Sequence, residues 1–380
     1  MCGSVRSSPP AFNACYVARG FSQRQGVDYF QNFSPTPKMT TFWVLLHITT
    51  QCDYEFHSLD FSTAFLQGSV HEEIWLRRPP GFTGSFPEGT QSSLRWPVYG
   101  LRQVPREWHD TLRTTLTAPG FSPSTADPSL ADTKALTLVK SELQKRHTCI
   151  DLQVLQRFGF QFSSPQPTPL STGHSLLAPP SDESVEPSGP YPELVGCLMY
   201  LLTCTRPDLA YPLILLARYV APVRHRKVHW DAAKRLLRYL CSTSSMGLVL
   251  GGRGPVVLTG HADAFWADDL ATQRPSCEAE IYAEAMAAQE LRWLTYLLTD
   301  LGEQPCSPPV LYVDNKAKIA VCQEHRLEHQ TKHIALRYFL ARELQQRGQL
   351  RLAYVATRAN TANISTKALP PRDHQRFSTL

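Results

Sequence analysis

The sequence lacks several kinds of segment, and each absence excludes a class of protein. It has no run of about 18 apolar residues, which a membrane-spanning helix requires. Its first ten residues, MCGSVRSSPP, lack the apolar stretch of a signal peptide. Its ten cysteines include no Cys-x-x-Cys pair, which argues against a zinc ribbon and a disulfide framework. We therefore expect an intracellular protein of the cytoplasm or nucleus, with no membrane partner.

Positive charge is in slight excess. The net charge is +5 and the isoelectric point is about 8.6, which permits contacts with phosphate groups but does not demand them. The densest basic stretch runs from Arg218 to Arg238, and it fits equally well a solvated helix face or a track for a phosphate backbone. Its members include Arg224, Arg226, Lys227, Lys234, Arg235 and Arg238.

The length of 380 residues is enough for two or three domains. Hydrophobic periodicity predicts a mixed α/β chain. The stretch after Phe158 is rich in proline and serine, which predicts a linker or extended strap. We predict helices over residues 39–51, 108–116, 193–203, 230–241, 279–301 and 335–347. We predict strands from residue 55 and over 72–76, 256–262, 310–314 and 350–355.

Four carboxylates carry the functional signal. Asp60 ends a short apolar run in HSLDFSTAFLQG, Asp263 lies in GHADAFWADD, Glu280 in SCEAEIYAEAM and Asp314 in VLYVDNKAKIA. Carboxylates at strand ends and on a neighbouring helix are suited to hold two magnesium ions for phosphodiester chemistry, because hard cations prefer charged oxygen ligands. The pattern predicts an enzyme that acts on nucleic acids.

Several further segments make this prediction more specific. In order they are VARGFSQRQGVDYFQNFSP, HSLDFSTAFLQG, EEIWLRRPPGF, VYGLRQVPREWH, LVGCLMYLLTCTRPDLAY, HWDAAKRLLRYL, LYVDNKAKIA, TKHIALRYFLARE and ANISTKALP. Together they closely resemble the reverse transcriptase and ribonuclease H part of the Pol polyprotein of Copia-type retrotransposons. The resemblance implies an α+β remnant of polymerase fingers and palm followed by a ribonuclease H-like α/β domain. It also implies Mg²⁺ as cofactor, and RNA, DNA or an RNA–DNA hybrid as partner.

The resemblance makes Asp60 the first metal ligand of the polymerase site and places Gln103 under the incoming nucleotide. The family's second polymerase ligand comes from a Tyr-Val-Asp-Asp hairpin, expected here near Leu130. The only Asp-Asp pair in the sequence is Asp268 with Asp269, which lies in the segment expected for ribonuclease H. One carboxylate cannot balance the charge of two divalent ions. Absence of the second carboxylate costs roughly several kcal/mol of electrostatic attraction at an effective dielectric of about 20. This cost predicts that DNA synthesis is slowed by more than about a thousandfold.

For the ribonuclease H site, the resemblance implies Asp263, Glu280 and Asp314 as metal ligands. Glu278 remains an alternative to Glu280, and Asn363 replaces the fourth family aspartate. Residues 264–276 span 13 residues, whereas two strands of about five residues with their turns need roughly 15 to 20. The second and third strands of the family sheet are therefore expected to be missing.

These observations predict a partial reverse transcriptase over residues 1–157 and a linker over 158–192. They also predict a helical connection over 193–253, a partial ribonuclease H-like domain over 254–371 and a tail over 372–380. The expected function is a retrotransposon-derived fragment that is catalytically defective. The alternatives are a remnant that binds nucleic acid without catalysis, and a non-functional product of a decayed element.

Overall fold

The computed structural model divides the chain into two compact units. The first comprises Met1–Pro37 with Ser58–Lys134, and the second comprises Lys38–His57 with Ala135–Leu380. The structure describes residues 17–54, 64–77, 91–118, 122–128, 153–174, 176, 190–221, 226–252, 254–264, 276–314 and 335–379.

The described part of the first unit contains a short pair of antiparallel strands and a long helix. Strand β1 (Trp75–Arg77) pairs antiparallel with β2 (Gln91–Ser93). Helix α2 (Val104–Thr117) starts four residues before its predicted first residue. The difference arises because proline is favoured in the first turn of a helix, where its missing N–H has no partner to lose.

Two glycines allow the N-terminal segment of this unit to approach the segment before α2. A Cβ atom on Gly20 would lie 1.9 Å from the carbonyl oxygen of Gly100, and Gly100 itself has a φ of +93°. The amide of Ala18 donates to the carbonyl of Tyr99 at 2.7 Å. Side chains larger than hydrogen would push these two backbones apart.

The second unit begins with α1 (Met39–Gln51), which has the predicted bounds. It continues with α3 (Tyr191–Cys204), α4 (Ala210–Ala217) and α5 (Lys227–Ser242). Leucines on these last three helices form the larger hydrophobic core of the unit. Helix α4 was not predicted, because its continuous apolar run AYPLILLA shows no helical period and contains a proline.

The described part of the Pro/Ser-rich stretch packs on this helical core. Leu170 and Leu176 are buried within it. The hydroxyl of Ser242 donates to the carbonyl of Gln166 at 3.0 Å, and the guanidinium of Arg235 donates to the Thr168 hydroxyl at 2.9 Å. Residues 158–174 and 176 therefore form a strap held by side-chain contacts, where composition alone left linker and strap open.

The C-terminal part of the second unit is a parallel three-stranded sheet with two helices. The sheet order is β3 (Thr259–His261), β4 (Val310–Val313) and β5 (Arg351–Tyr354). Helix α6 (Ser276–Asp300) connects β3 to β4 and packs against α7 (Ala335–Gln346). Such crossover helices are what parallel strands require.

Two short helices end the described chain. They are α8 (Asn363–Thr366) and α9 (Pro371–Ser378). Helix α9 lies within the stretch predicted as a tail over 372–380, and it buries His374 and Phe377.

Some predictions fall on residues that the structure does not describe. They are the strand from residue 55, Asp60 as the carboxylate predicted for the polymerase site, and the strands expected to be missing between Asp263 and Cys277. No helix in the described ranges is long and apolar enough to cross a membrane.

Candidate functional site

A cleft at one edge of the parallel sheet gathers carboxylates from two strand ends and one helix. Asp263 lies two residues after β3, and Asp314 directly follows β4. Glu280 and Glu284 approach from α6 and line the same cleft. The carboxyl ends of parallel strands meet at one edge of a sheet, which explains why residues distant in sequence converge here.

The cleft has a volume of about 20 Å³, and roughly 10 to 15 Å³ suffices for one water molecule. Its apolar wall is made by Ala262, Ala264 and Val313. The three carboxylates predicted for this site, Asp263, Glu280 and Asp314, all line it. The cleft can therefore admit a small ion or a water molecule among carboxylates.

Sequence reasoning missed Glu284. This side chain is only 5% exposed and lies one helical turn after Glu280, so both project from the same face of α6. The i, i+4 spacing was the available signal. The side chain of Glu278, the alternative ligand, lies outside the described residues.

Asp263 is bonded to two donors from the α8 segment. The Lys367 ammonium lies 3.2 Å from Oδ1 and 3.0 Å from Oδ2 of Asp263, whose side chain is 7% exposed. The hydroxyl of Thr366 also donates to Oδ2. A single cation thus contacts both oxygens of the carboxylate.

The same ammonium also contacts the side-chain amide of Asn363. Lys367 Nζ donates to Asn363 Oδ1 at 2.8 Å, and Asn363 Nδ2 donates to the carbonyl of Thr357 at 2.5 Å. Asn360 Nδ2 donates to the carbonyl of Ala262 at 2.9 Å. These bonds hold the α8 segment against the end of β3, which places Lys367 within reach of Asp263.

His261 adds no positive charge to this edge at neutral pH. Burial lowers the pKa of its imidazole, and a hydrogen bond with Asn360 opposes that shift only in part. The ring stacks on Tyr312, with ring centres 4.9 Å apart. Within the residues that the structure describes, Lys367 is the cationic side chain that contacts Asp263 and offsets its negative charge.

These residues do not fit a two-magnesium site as they are arranged. Within the described ranges, no three His, Cys, Asp or Glu side chains are grouped so that they could hold a metal ion. The four carboxylates share a cleft, yet one of them, Asp263, is already paired with an ammonium. A magnesium ion would have to displace that ammonium, and it also gives up its own water reluctantly.

In the first unit, Gln103 is fully buried and its amide is bonded within the protein. Its Oε1 accepts from Gln23 Nε2 at 3.0 Å, and its Nε2 donates to the Asp28 carbonyl at 3.3 Å and to Glu72 Oε2 at 3.4 Å. These bonds support the turn that begins α2. The nucleotide contact expected of Gln103 stays a prediction.

Comparison with known proteins identifies the N-terminal part of the chain. Residues 8–158 match a family model described as reverse transcriptase (RNA-dependent DNA polymerase). No solved structure gives a significant match.

Longer relatives match almost the whole chain. It is 31% identical to the retrovirus-related Pol polyprotein from transposon RE2 of Arabidopsis thaliana, over 97% of this chain and 30% of that protein. It is 27% identical to the corresponding polyprotein from transposon TNT 1-94 of Nicotiana tabacum, over 94% of this chain and 33% of that protein. The polyprotein from transposon RE1 of Arabidopsis thaliana is 28% identical, over 97% of this chain and 30% of that protein. The chain therefore spans about a third of the length of these curated relatives.

The alignment with the RE2 polyprotein also shows a difference in length. It extends over 448 positions, whereas this chain has 380 residues, so the relative has residues inside the aligned region that this chain lacks. The chain belongs to the Pol polyproteins of Copia-type retrotransposons, as a fragment that includes reverse transcriptase sequence.

Proposed function

We propose that this fragment corresponds to the reverse transcriptase and ribonuclease H region of Pol, and that it has lost DNA synthesis and most or all hybrid cleavage. One observation carries the proposal: the only Asp-Asp pair of the sequence, Asp268 with Asp269, lies far from the ADPSL segment that should precede the polymerase hairpin. The gaps opposite the RE2 polyprotein support a deletion as the cause.

The polymerase argument is electrostatic. Reverse transcriptases generally use Mg²⁺, and a two-ion site needs several anionic oxygens to compete with water for the ions. Asp60 alone supplies one negative charge. DNA synthesis is consequently slowed by more than about a thousandfold, which corresponds to roughly 4 kcal/mol in the barrier.

The assignment of residues 254–371 as ribonuclease H-like is part of the same proposal. It is supported by the parallel sheet order β3–β4–β5 and by the convergence of Asp263, Glu280 and Asp314 on one cleft. The pairing of Asp263 with Lys367 supports weak or absent cleavage, because a carboxylate held by an ammonium is a poorer ligand for a divalent ion.

Primer extension on an RNA template tests the polymerase part. The purified chain and its Asp60→Asn variant are incubated with a labelled primer and Mg²⁺. We expect equal, background incorporation by both proteins. Incorporation by the unmodified chain that Asp60→Asn abolishes would show that the site still functions and would refute the proposal.

Cleavage of a labelled RNA–DNA hybrid tests the nuclease part. We expect no Mg²⁺-dependent cleavage above that of the Asp314→Asn variant. Cleavage that is lost in Asp314→Asn would show an active nuclease at this cleft, while cleavage shared by both proteins would indicate a contaminating enzyme.

Binding of nucleic acid without chemistry is the second candidate function. It is favoured by α5, which exposes Lys227 and leaves Lys234 and Arg238 half-buried along the basic stretch. Part of this charge is used internally, because Lys234 pairs with Asp231 at 2.5 Å and Arg235 bonds to the strap. The face is therefore less basic than its sequence suggests.

Salt-dependent binding of an RNA–DNA hybrid tests this candidate, since phosphate contacts release counterions and weaken steeply with ionic strength. We expect affinity to fall with salt, and the Lys227→Gln/Arg238→Gln variant to show a shallower slope. Binding that is absent or independent of salt would favour the non-functional product of a decayed element. A non-cooperative thermal unfolding transition would support the same conclusion.

A further inference from the structure

We propose that the Lys367 ammonium is the resident cation of the carboxylate cleft, and that it excludes divalent metal ions from Asp263. This inference deepens the proposed function and rests on it for the kind of ion that the cleft would otherwise take. The contacts that carry it are those of Lys367 with both oxygens of Asp263 and with the amide oxygen of Asn363.

The Lys367 ammonium contacts two side chains at once, as a bound metal ion would. Its three oxygen contacts, at 2.8, 3.0 and 3.2 Å, match the three N–H donors that a lysine carries. The position is enforced, because Lys367 directly follows α8 and Asn363 is bonded to Thr357. The side chain of Lys367 is 41% exposed while that of Asp263 is 7% exposed, so a buried carboxylate is paired with a partly exposed lysine.

The asparagine at 363 leaves the Lys367 ammonium in contact with one carboxylate instead of two. Glu280, Glu284 and Asp314 also line the cleft, and a carboxylate at position 363 would add a further negative charge beside the ammonium and so favour a divalent ion. The amide of Asn363 offers a neutral oxygen, so the ammonium neutralises Asp263 without a second anion at its side. The amide therefore favours the ammonium over a divalent ion at Asp263.

Binding of Mn²⁺ by the full chain, followed through the electron paramagnetic resonance signal of free Mn²⁺, tests the inference. Lys367→Gln removes the charge but keeps an N–H donor for Asp263 and Asn363. Lys367→Arg is the matched control that keeps the charge. Each variant is also combined with Asp263→Asn, so that only binding lost in the combination is assigned to this cleft.

We expect no cleft-specific Mn²⁺ binding in the unmodified chain or in Lys367→Arg. We expect such binding in Lys367→Gln, with an affinity at least about tenfold above the detection limit set by the unmodified chain, because removal of the ammonium charge at contact distance strongly favours a metal cation. Asn363→Asp should also gain cleft-specific binding, which provides a second variant if Lys367→Gln fails to fold.

Two results would overturn the inference. One is cleft-specific Mn²⁺ binding by the unmodified chain as tight as that of Lys367→Gln. The other is its absence from both Lys367→Gln and Asn363→Asp. Primer extension, which depends on Asp60 in the other unit, separates failure of the proposed function from failure of this inference.

Discussion

Arg206 and Asp208 form an ion pair inside the second unit, with Arg206 Nε 3.0 Å from Asp208 Oδ1 and Arg206 Nη2 2.8 Å from Oδ2. The two side chains are 1% and 7% exposed. The remaining donors of Arg206 bond to the carbonyl and hydroxyl of Thr243, and the Tyr239 hydroxyl donates to Asp208 at 2.7 Å. This network joins the turn before α4 to the end of α5.

Replacing Asp208 with Asn should destabilise the second unit by about 3 to 5 kcal/mol. The variant leaves the Arg206 guanidinium buried without a counter-charge, and such a charge is far more costly than an exposed one. Urea unfolding followed by circular dichroism measures the difference. The control is Glu343→Gln, which breaks the exposed pair with Arg347 and should cost about 0 to 1 kcal/mol. Equal effects of the two substitutions would contradict a stabilising buried network.

His374 should make stability fall as the pH falls below about 6.5. Burial lowers the pKa of this imidazole, and the attraction of Asp208 for the charged ring does not offset it. As the pH falls, His374 therefore binds a proton more readily in the unfolded chain than in the folded protein. Its contribution to the free energy of unfolding is complete above the ordinary histidine pKa of about 6.5 and is lost as the pH falls toward the pKa of the folded state. The loss is at most about 1.4 kcal/mol per pH unit.

The free energy of unfolding at pH 7.5 and 5.5, compared between the unmodified chain and His374→Gln, measures this dependence. The variant should lose less stability between the two values. Asp208 does not interfere, because burial raises the pKa of its carboxyl but the hydrogen bond and charge of Arg206 outweigh it. Its lowered pKa places its loss of stability in more acidic solution. An unchanged pH dependence in His374→Gln would rule out this role.

Gly20→Ala should destabilise the first unit by about 1 to 3 kcal/mol. The added methyl group would overlap the carbonyl oxygen of Gly100, and a backbone atom can move aside only with its neighbours. Gly68→Ala in the same unit is the control, because its methyl group would meet its neighbours at the ordinary distance of 3.5 Å. Thermal unfolding of both variants tests the close approach, and equal melting temperatures would refute it.

Leu176→Ala should cost about 2 to 5 kcal/mol, because it opens a cavity where the strap enters the helical core. Phe162→Ala, in the same strap but 97% exposed, should change stability by less than about 0.5 kcal/mol. Urea unfolding distinguishes the two. A neutral Leu176→Ala would mean that this segment is a linker without a packing role.

Local sequence signals were enough for several elements. Helix α1 has its predicted bounds and β4 ends one residue before its predicted end, because each has a clear period or apolar run bounded by polar residues. Helix α4 was not predicted because it contains Pro212, and proline usually interrupts a helix. The structure tolerates Pro212 because it lies in the first turn, where the N–H groups of a helix have no intrahelical partner. Strand β3 is shorter than predicted, since only Thr259–His261 pair with β4.

The candidate site was predictable in part for the same reason. Asp263 and Asp314 follow strands, so both were expected at one edge of a sheet. Glu284 was not expected, because only the packing of α6 on the sheet decides which of its faces meets the cleft. The pairing of Asp263 with Lys367 was equally invisible, since it joins residues 104 positions apart.

The sequence by itself determined the family of this chain and the number of anionic ligands it can offer, because motif order and the absence of a second Asp-Asp pair are properties of the chain alone. Tertiary structure decided how the remaining charges are used. Close contacts between distant segments set the Arg206–Asp208 pair and the hold of Lys367 on Asp263, and the energy of a charge depends on the partners and the solvent around it.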